Sequence, residues 1–177
     1  MQLAIIRHLP TSWNKAGLLQ GSKDIEIDDV SVEDKAKIDE NKASILNYQP
    51  YDLILTSSLK RTKQTAHVYG YFDMKEEPLL NELNFGVYEG KEKSLLIKEN
   101  EDLWVNAPTS LTLGEPLLAL EERVKKFVEK YKEYPKVLAF GHGSWIRAAI
   151  SIQKTGSIAL MNKVVVKNND FILVGFD

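Results

Sequence analysis

Three short apolar runs constrain the fold of this chain more than any other feature of its sequence. They lie at residues 3–6, 53–55 and 137–140. Each has the length of a β-strand but lacks the apolar–polar alternation of a strand with one exposed face. We therefore expect strands that are buried on both faces, as in a parallel sheet between two layers of helices.

Helical patterns separate the apolar runs. The clearest covers residues 116–132, where apolar side chains recur every three to four positions and Pro116 stands near the start, where a missing N–H has little cost. The weaker patterns lie at residues 31–47, 59–70, 92–100 and 144–153. We expect one α/β domain over residues 1–177, a three-layer sandwich whose mostly parallel central sheet carries helices on both faces.

Two further stretches have different patterns. Residues 163–174 favour two strands around the Asn-Asn-Asp turn at 168–170. Residues 89–114 show no clean period and contain Trp104, Pro108 and Gly114. A long irregular insert in a compact domain is often a lid or a binding loop, and we expect one here.

The composition excludes several classes of function. The 23 basic and 25 acidic residues give a net charge of −2, whereas nucleic-acid and membrane-surface binding need a basic excess. The absence of cysteine excludes disulfides, zinc–thiolate sites, iron–sulfur clusters and thiol catalysis. No apolar stretch approaches the roughly 18 residues of a membrane span, and the apolar run at the start is too short for a signal peptide. We expect a cytoplasmic protein without nucleic-acid or membrane partners, and its oligomeric state stays open.

Residues with suitable chemistry follow each apolar run. Arg7 and His8 follow the first run, and a helix that carries Arg61 follows the second. His142 stands between two glycines after the third run. Because ligands bind beyond the carboxyl ends of the strands in open α/β sheets, we expect two guanidinium groups and two imidazoles in one crevice.

This combination of side chains suits a phosphate group. A guanidinium group matches two phosphate oxygens, and two arginines balance a phosphate dianion without a metal, so we expect neither metal nor cofactor. Gly141 and Gly143 would let backbone N–H groups approach the anion, and a helix beginning near Ser144 would add partial positive charge. Nearby arginines lower the pKa of a histidine, and a neutral imidazole can attack phosphorus to form a phosphohistidine.

Five blocks of sequence match one known pattern, in the same order along the chain. Residues 7–14 read R-H-L-P-T-S-W-N, and the pattern continues through Gly17, Gln20, Gly21 and Asp24. The other four blocks are S-S-L-K-R-T-K-Q-T-A at 57–66, E-L-N-F-G-V-Y-E-G at 82–90, G-E at 114–115, and F-G-H-G at 140–143. As a set, they resemble the motifs of the histidine phosphatase superfamily, which includes the phosphoglycerate mutases. The resemblance implies the same α/β fold.

The resemblance also implies roles for the matched residues. His8 would accept the phosphoryl group, and Glu82 would protonate the leaving oxygen and then activate water. Arg7, Arg61 and His142 would belong to the catalytic set because they hold the phosphoryl group. The residues expected to bind phosphate are Arg7, Asn14, Gln20, Gly21, Arg61, His142 and Gly143.

Two positions depart from the family pattern. Leu9 replaces the usual glycine after the nucleophile, and because it precedes Pro10 we expect it in an extended turn. Pro116 replaces a serine, so a hydrogen bond from that side chain is lost. Neither position carries a reacting group.

Some other candidates for the site have simpler interpretations. Glu76, Glu77 and Glu89 are alternatives to Glu82 as the acid, although each could be an ordinary surface carboxylate. We expect His67 to be a structural or exposed helix residue and Arg123 to be a surface or ion-pair residue.

The sequence therefore predicts a metal-independent phosphomonoester hydrolase that acts through a phosphohistidine on a small phosphate ester. The alternatives are a cofactor-dependent phosphoglycerate mutase, a protein-phosphohistidine phosphatase, and a non-catalytic phosphate-sensing scaffold of the same fold. The mutases of the family usually carry longer insertions, so the length of 177 residues favours the hydrolase. We expect residues 89–114, together with Trp13, to select the substrate.

Overall fold

Each of the three apolar runs forms a strand of one sheet. In the computed structural model, which describes residues 1–176, the strands are β1 (Gln2–Arg7), β2 (Leu53–Thr56), β3 (Lys75–Glu76), β4 (Lys136–Gly141) and β5 (Phe171–Gly175). Their order across the sheet is β3-β2-β4-β1-β5. The β2–β3, β2–β4 and β4–β1 pairs are parallel, and only β5 runs antiparallel to its neighbour β1. The predicted α/β fold with a mostly parallel sheet is confirmed.

Helices form at all of the predicted positions. They are α1 (Ser12–Lys15), α2 (Val32–Asn47), α3 (Lys60–Val68), α4 (Lys93–Asn106), α5 (Leu117–Tyr131) and α6 (Gly143–Thr155). Short 3₁₀ turns lie at Pro78–Leu80, Gly86–Tyr88, Pro108–Ser110 and Met161–Lys163. Within residues 1–176, every helix is too short or too polar to cross a bilayer.

The alternation of side chains along β1 divides the core into two halves. Leu3 and Ile5 face a cluster that includes buried residues of α4, α5 and α6. Ala4 and Ile6 face the opposite cluster, which receives apolar residues from α2 and α3. Because successive side chains of a strand point to opposite faces, a continuous apolar run is required wherever both faces are covered.

Helix α5 packs against the sheet through the apolar stripe in its sequence. Its buried residues are Leu117, Leu120, Val124, Phe127 and Tyr131. The Phe127 ring lies edge-on to Trp145 of α6, with their centroids 5.2 Å apart. Edge-to-face aromatic packing of this kind fixes α5 against α6, the helix that follows His142.

The expectation of two strands in residues 163–174 is half wrong. Only Phe171–Gly175 forms a strand, and it pairs with the free edge of β1. Residues 164–167 pass beside the sheet, where Val166 is buried and its carbonyl accepts a hydrogen bond from Arg7. Within residues 1–176, the outer edge of β5 is free, but this segment does not pair with it, because Val166 packs into the core cluster on the α5–α6 side of the sheet and its carbonyl is engaged by Arg7.

The expectation of an irregular segment at residues 89–114 is also wrong over most of its length. Helix α4 occupies its centre, and Asn100 interrupts the helix with non-helical backbone angles (φ −135°, ψ 29°). Only Leu96 and Trp104 of this helix are buried. A kink between two widely spaced apolar residues removes the regular period by which a helix is recognised in a sequence.

Replacement of Phe127 by alanine should lower the free energy of unfolding by about 3–5 kcal/mol, because a fully buried ring leaves a cavity against α6. Urea denaturation followed by circular dichroism measures this loss. Leu118→Ala removes an apolar side chain from the exposed side of the same helix and should cost much less. Equal losses in the two variants would show that α5 does not dock through its predicted face.

Candidate active site

The carboxyl ends of β1, β2 and β4 border a cleft of about 320 Å³. Parallel pairing in register sets Arg7 opposite Gly141 and Thr56 opposite Phe140, so the residues after each strand emerge together. Eight of the predicted site residues line this cleft: Arg7, His8, Asn14, Gln20, Gly21, Arg61, Glu82 and Gly143. The ninth, His142, lies beside His8 with the ring centroids 5.3 Å apart.

The imidazole of His8 is held in one tautomer. Its Nδ1 lies 2.7 Å from the carbonyl oxygen of Leu9, and because a carbonyl only accepts, Nδ1 carries the proton and donates it. Nε2 therefore keeps its lone pair. Burial, followed by the positive charges of Arg61 and Arg7, holds the pKa of His8 well below its usual value of 6.5. The side chain is thus a neutral base with a free nitrogen.

Leu9, which stands where the family pattern has glycine, contacts the site through its backbone. Its carbonyl orients His8, and its N–H donates to the hydroxyl of Thr65 at 2.9 Å. The side chain is buried in the core cluster on the α2–α3 side of the sheet. A leucine therefore fits here because its backbone serves the site while its side chain packs away from it.

The guanidinium group of Arg7 packs closely against Gly143 at the start of α6. Its Nη1 donates to the carbonyl of Val166 at 2.6 Å, whereas its buried Nε has no partner within residues 1–176. A Cβ atom on Gly143 would stand 3.2 Å from both Cζ and Nε of Arg7. The glycine expected to expose a backbone N–H to phosphate therefore also makes room for the arginine.

Arg61 is fully buried and is fixed by neutral acceptors. It donates from Nη1 to the carbonyl of Lys23 at 2.7 Å and from Nη2 to the carbonyl of Gly21 at 2.8 Å. Its Nε donates to Nδ1 of His142 at 3.2 Å. These contacts leave N–H groups on both Nη atoms for a ligand in the cleft, and none of the three acceptors cancels the charge.

His142 has both ring nitrogens engaged. Because Nδ1 accepts from Arg61, Nε2 carries the proton and donates to the hydroxyl of Ser57 at 2.7 Å. Burial, together with the charge of Arg61, holds the pKa of His142 well below its usual value. In this arrangement, His142 acts on the cleft through Arg61.

The amide of Asn14 is oriented with its NH₂ group available to the cleft. Its Oδ1 accepts from the backbone N–H and the hydroxyl of Thr11 and from Nδ2 of Asn168. Asn168 also donates to the carbonyl of His8 at 3.0 Å. Asn168, in the turn before β5, therefore connects Asn14 to the backbone of His8. No motif in the sequence predicts this role.

Gln20 and Gly21 occupy the loop that faces Arg61. Gln20 is buried, and its Oε1 has no partner within the described residues. Gly21 has φ of +52°, and a Cβ atom there would collide with the Glu89 carboxylate at 2.1 Å. Only glycine satisfies both conditions, so the loop can carry the carbonyl that holds Arg61.

Glu82 is the acid that the structure brings into the cleft. Its carboxylate accepts from the backbone N–H groups of Ser144 and Trp145 at 3.1–3.3 Å, at the start of α6. The free N–H groups and dipole of a helix start favour a negative charge at this position. The helix N-terminus expected to face phosphate therefore holds Glu82 instead.

The three alternative acids are engaged elsewhere. Glu77 is buried against Lys130 and Tyr131, and Glu76 pairs with Lys63 on the surface. Glu89 accepts from Ser22 and from the backbone of Phe85. Within residues 1–176, none of these three carboxylates lines the cleft.

Arg123 clamps the segment that carries Glu82. It donates to the carbonyls of Leu79, Asn81 and Glu82 and pairs with Glu115 at 2.8 Å. The ion pair expected for Arg123 is therefore present, and it gives the G-E motif at 114–115 a positioning role. His67 is exposed on α3, as expected, and stacks on Phe72.

Two positively charged side chains of the cleft lie outside the sequence motifs. Lys93 of α4 and Arg147 of α6 both line it, as does Trp104. Arg147 lies four residues after Gly143, the spacing that places two residues on one helix face, so this signal was available in the sequence. Trp13 does not line the cleft, and it packs against Gly90.

A known protein family matches nearly the whole chain. The model of the histidine phosphatase superfamily (branch 1) matches residues 3–177. The chain belongs to this superfamily. A Yersinia pestis protein described as a probable phosphoglycerate mutase, GpmB, is 28% identical over 163 residues, covering 85% of this chain and 74% of the relative.

Solved structures share the superfamily fold. The Mycobacterium tuberculosis protein Rv3214 aligns with a TM-score of 0.82 and 22% identity, over 99% of this chain and 91% of its own. The α-ribazole phosphatase of Shigella flexneri aligns with a TM-score of 0.77 and 23% identity, over 100% and 91% of the two chains. At these identities, the likeness establishes the fold alone.

Gly143→Ala should lower kcat/KM for p-nitrophenyl phosphate by about tenfold, because the added methyl forces the Arg7 guanidinium to shift by a few tenths of an ångström. Steady-state kinetics measures the change, and thermal unfolding should show a folded protein. Gly175→Ala is the matched control, since a Cβ atom there meets open space. An unchanged kcat/KM in Gly143→Ala would exclude the close packing of Arg7 as a requirement of the site.

Proposed function

We propose that this protein is a metal-independent phosphomonoester hydrolase that acts through a covalent phosphohistidine on His8. The observation that carries the proposal is the state of that imidazole. The ring is neutral, and its Nδ1–H donates to the carbonyl of Leu9, which leaves the lone pair on Nε2. His8 lines a cleft that also contains Arg7 and Arg61. A nucleophile beside fixed positive charge is what phosphoryl transfer requires.

In the first step, Nε2 of His8 attacks phosphorus while the bond from phosphorus to the ester oxygen breaks. Glu82, in its protonated form, delivers a proton to the leaving oxygen. The ring gains positive charge as the phosphorus–nitrogen bond forms, and the hydrogen bond from Nδ1 to the Leu9 carbonyl stabilises that charge.

In the second step, the Glu82 carboxylate accepts a proton from water, and the oxygen of that water attacks phosphorus. The phosphorus–nitrogen bond breaks, and its electron pair returns to Nε2. Inorganic phosphate leaves, and both His8 and the protonated Glu82 are restored. One carboxyl group serves as acid and then as base because the two steps are chemically the reverse of one another.

Arg7 and Arg61 carry most of the charge stabilisation. Both line the cleft, both retain N–H groups that have no acceptor within residues 1–176, and both are fixed by protein contacts before a ligand arrives. Donors that need no rearrangement stabilise the equatorial oxygens of the transferring phosphoryl group most effectively. Asn14 adds its NH₂ group, whereas a direct contact from His142 would require its Nε2–H to leave Ser57.

The relatives support a small phosphate ester as substrate. The structural neighbours include the α-ribazole phosphatase and a phosphoserine phosphatase. A cleft of about 320 Å³ is at the small end of ligand pockets and suits a compact metabolite. Inside residues 1–176, no cluster of three or more potential metal ligands is present. We propose action in the cytoplasm without a nucleic-acid partner.

The second candidate is a phosphoglycerate mutase, which the similarity to the Yersinia protein favours. A mutase returns the phosphoryl group from His8 to another hydroxyl of the substrate instead of to water. Incubation with 3-phosphoglycerate and a catalytic amount of 2,3-bisphosphoglycerate separates the two reactions. Formation of 2-phosphoglycerate without release of phosphate would show that the protein is a mutase and would contradict the proposal of a hydrolase.

His8→Ala should lower kcat for p-nitrophenyl phosphate by at least about 10³-fold, because the attacking nitrogen is removed. The assay measures nitrophenolate release in excess chelator. Brief incubation of the wild type with labelled substrate should also yield acid-labile protein-bound phosphate, which His67→Ala retains and His8→Ala lacks. Undiminished turnover in His8→Ala, or turnover that stops with chelator, would contradict the proposed mechanism.

The pKa of His8 should be measurable by NMR titration of its ring. Burial and the two arginines lower this pKa, so the ring stays neutral at pH 6.5 and gains its proton only as the pH falls further. Activity that depends on the Nε2 lone pair should fall over the same range. Arg7→Gln removes one positive charge and should move the midpoint to higher pH. A midpoint at or above 6.5 in the wild type would contradict the assigned environment.

A further inference from the structure

The turn that precedes β5 is tied to the end of β1. The backbone N–H of Asn169 donates to the carbonyl of Arg7 at 3.0 Å, and the backbone N–H of Arg7 donates to the carbonyl of Asp170 at 3.1 Å. Asn169 has φ of +63°, a left-handed conformation that glycine, asparagine and aspartate adopt more readily than other residues. The shape of this turn therefore depends on Asn169.

The side chain of Asn169 belongs to a buried polar network with Asn41 of α2 and Tyr69 at the end of α3. The hydroxyl of Tyr69 donates to Oδ1 of Asn169 at 2.5 Å. Asn41 donates from Nδ2 to the hydroxyl of Tyr69 at 2.8 Å and to the carbonyl of Asn169 at 2.7 Å. Nδ2 of Asn169 donates to the carbonyl of Asp34 at 3.3 Å. Burial raises the pKa of Tyr69 above its usual value, so its hydroxyl keeps the proton that it donates.

The neighbouring residue in the turn, Asn168, has its side chain in the cleft. Its Nδ2 donates to the carbonyl of His8 at 3.0 Å and to Oδ1 of Asn14 at 3.2 Å. Asn168 lines the cleft, whereas none of the three residues of the network does so within residues 1–176. The contacts that fix the backbone at Asn169 therefore also fix the point from which the side chain of Asn168 enters the cleft.

The NH₂ group of Asn168 favours one orientation of the Asn14 amide. Oδ1 of Asn14 also accepts from the backbone N–H and the hydroxyl of Thr11, both at 3.1 Å. A rotated amide would turn the NH₂ group of Asn14 towards the N–H of Thr11 and the NH₂ of Asn168, so that donors would face donors. In the observed orientation, the NH₂ group of Asn14 stays available to a phosphoryl group in the cleft.

We propose that Asn168 is a positioning residue for phosphoryl transfer, which keeps the NH₂ group of Asn14 directed at the cleft and is itself held in place by the Asn41–Tyr69–Asn169 network. This inference rests on the proposed function and extends it to residues outside the five sequence blocks. A donor that is oriented before the ligand arrives stabilises the developing charge without rearrangement. Without the Tyr69 hydroxyl, the buried Oδ1 of Asn169 would lose its donor, and a rotation of that side chain would release the turn.

A double-mutant cycle tests whether Asn168 acts through Asn14. Asn168→Ala should lower kcat for p-nitrophenyl phosphate by about tenfold with little change in KM, because a misplaced donor is felt most as charge develops on the phosphoryl group. In an Asn14→Ala background, the same substitution should change kcat by less than about twofold, since the donor that it orients is absent. A similar tenfold loss in both backgrounds would overturn the positioning role.

Tyr69→Phe tests the network with the loss of one hydroxyl. It should lower kcat by at least about threefold in the wild type but leave kcat unchanged in an Asn168→Ala background. Tyr51→Phe is the matched control, because its hydroxyl donates to the carbonyl of Ile45 in α2 at 3.2 Å and has no contact with the turn. In folded proteins, equal kcat values for the two tyrosine variants would overturn the role of the network. Asn168 is only half-buried, so the cycle through Asn14 decides the proposal if Tyr69→Phe does not fold.

Binding of orthovanadate separates failure of this inference from failure of the proposed function. Calorimetry with this analogue of the phosphoryl group measures the anion site without any turnover. Asn168→Ala and Asn14→Ala should each weaken binding by about tenfold, and the double variant should bind no more weakly than Asn14→Ala. The same pattern in a protein that releases no phosphate from p-nitrophenyl phosphate would sustain the positioning role and overturn the hydrolase. Hydrolysis with equal kcat and equal orthovanadate affinity in the wild type and Asn168→Ala would overturn the positioning role and leave the hydrolase.

Discussion

The parallel pairing of β1, β4 and β2 is the constraint on which the site depends. Its register places Arg7 beside Gly141 and the end of β2 next to Phe140, so that side chains from distant parts of the chain leave the sheet at one edge. A shift of one residue would turn every side chain of a strand to the other face. Because both faces of β1 are packed with apolar residues, the core tolerates such a shift poorly, and the geometry of the site follows from the packing of the core.

The cleft keeps its positive charge because neutral groups hold its arginines. Arg61 donates to the carbonyls of Gly21 and Lys23, and Arg7 donates to the carbonyl of Val166. These acceptors satisfy hydrogen bonds and set orientation without cancelling charge, as a carboxylate would. Two histidines next to these arginines remain neutral, since a further positive charge in a buried place is unfavourable. The chain thus builds an anion site from backbone carbonyls and uncharged imidazoles.

The parts of the fold that the sequence predicts are those with a regular period. The apolar runs predict β1, β2 and β4, and the stripe through Phe127 predicts α5, because burial imposes a spacing that is visible in the residues. The weak pattern at residues 92–100 predicts the first part of α4, but the continuation of the helix to Asn106 escapes prediction because Asn100 breaks its period. The segment at 164–167 has the propensity of a strand, but it packs Val166 into the core and gives its carbonyl to Arg7, and β-propensity does not report such tertiary contacts.

Some residues of the candidate site could likewise be predicted from the sequence, and others could not. Strand ends bring Arg7, His8 and His142 together, a convergence that follows from topology alone. Glu82 required the family resemblance, because a carboxylate on a loop has no period to reveal it. Lys93 and Asn168 were missed, since their place in the cleft depends on how α4 and the turn before β5 fold over the sheet. Contacts made across the fold leave little trace in local sequence.

The bond between Arg7 and the carbonyl of Val166 joins residues 159 positions apart, and Asn168 reaches His8 over a similar span. Closing so long a loop costs conformational entropy, which contacts of this kind must offset. The reactive pocket is therefore assembled by the same event that completes the domain. A chain in which β5 has not docked would lack both hydrogen bonds, so the cleft is complete only when the last strand of the sheet is in place.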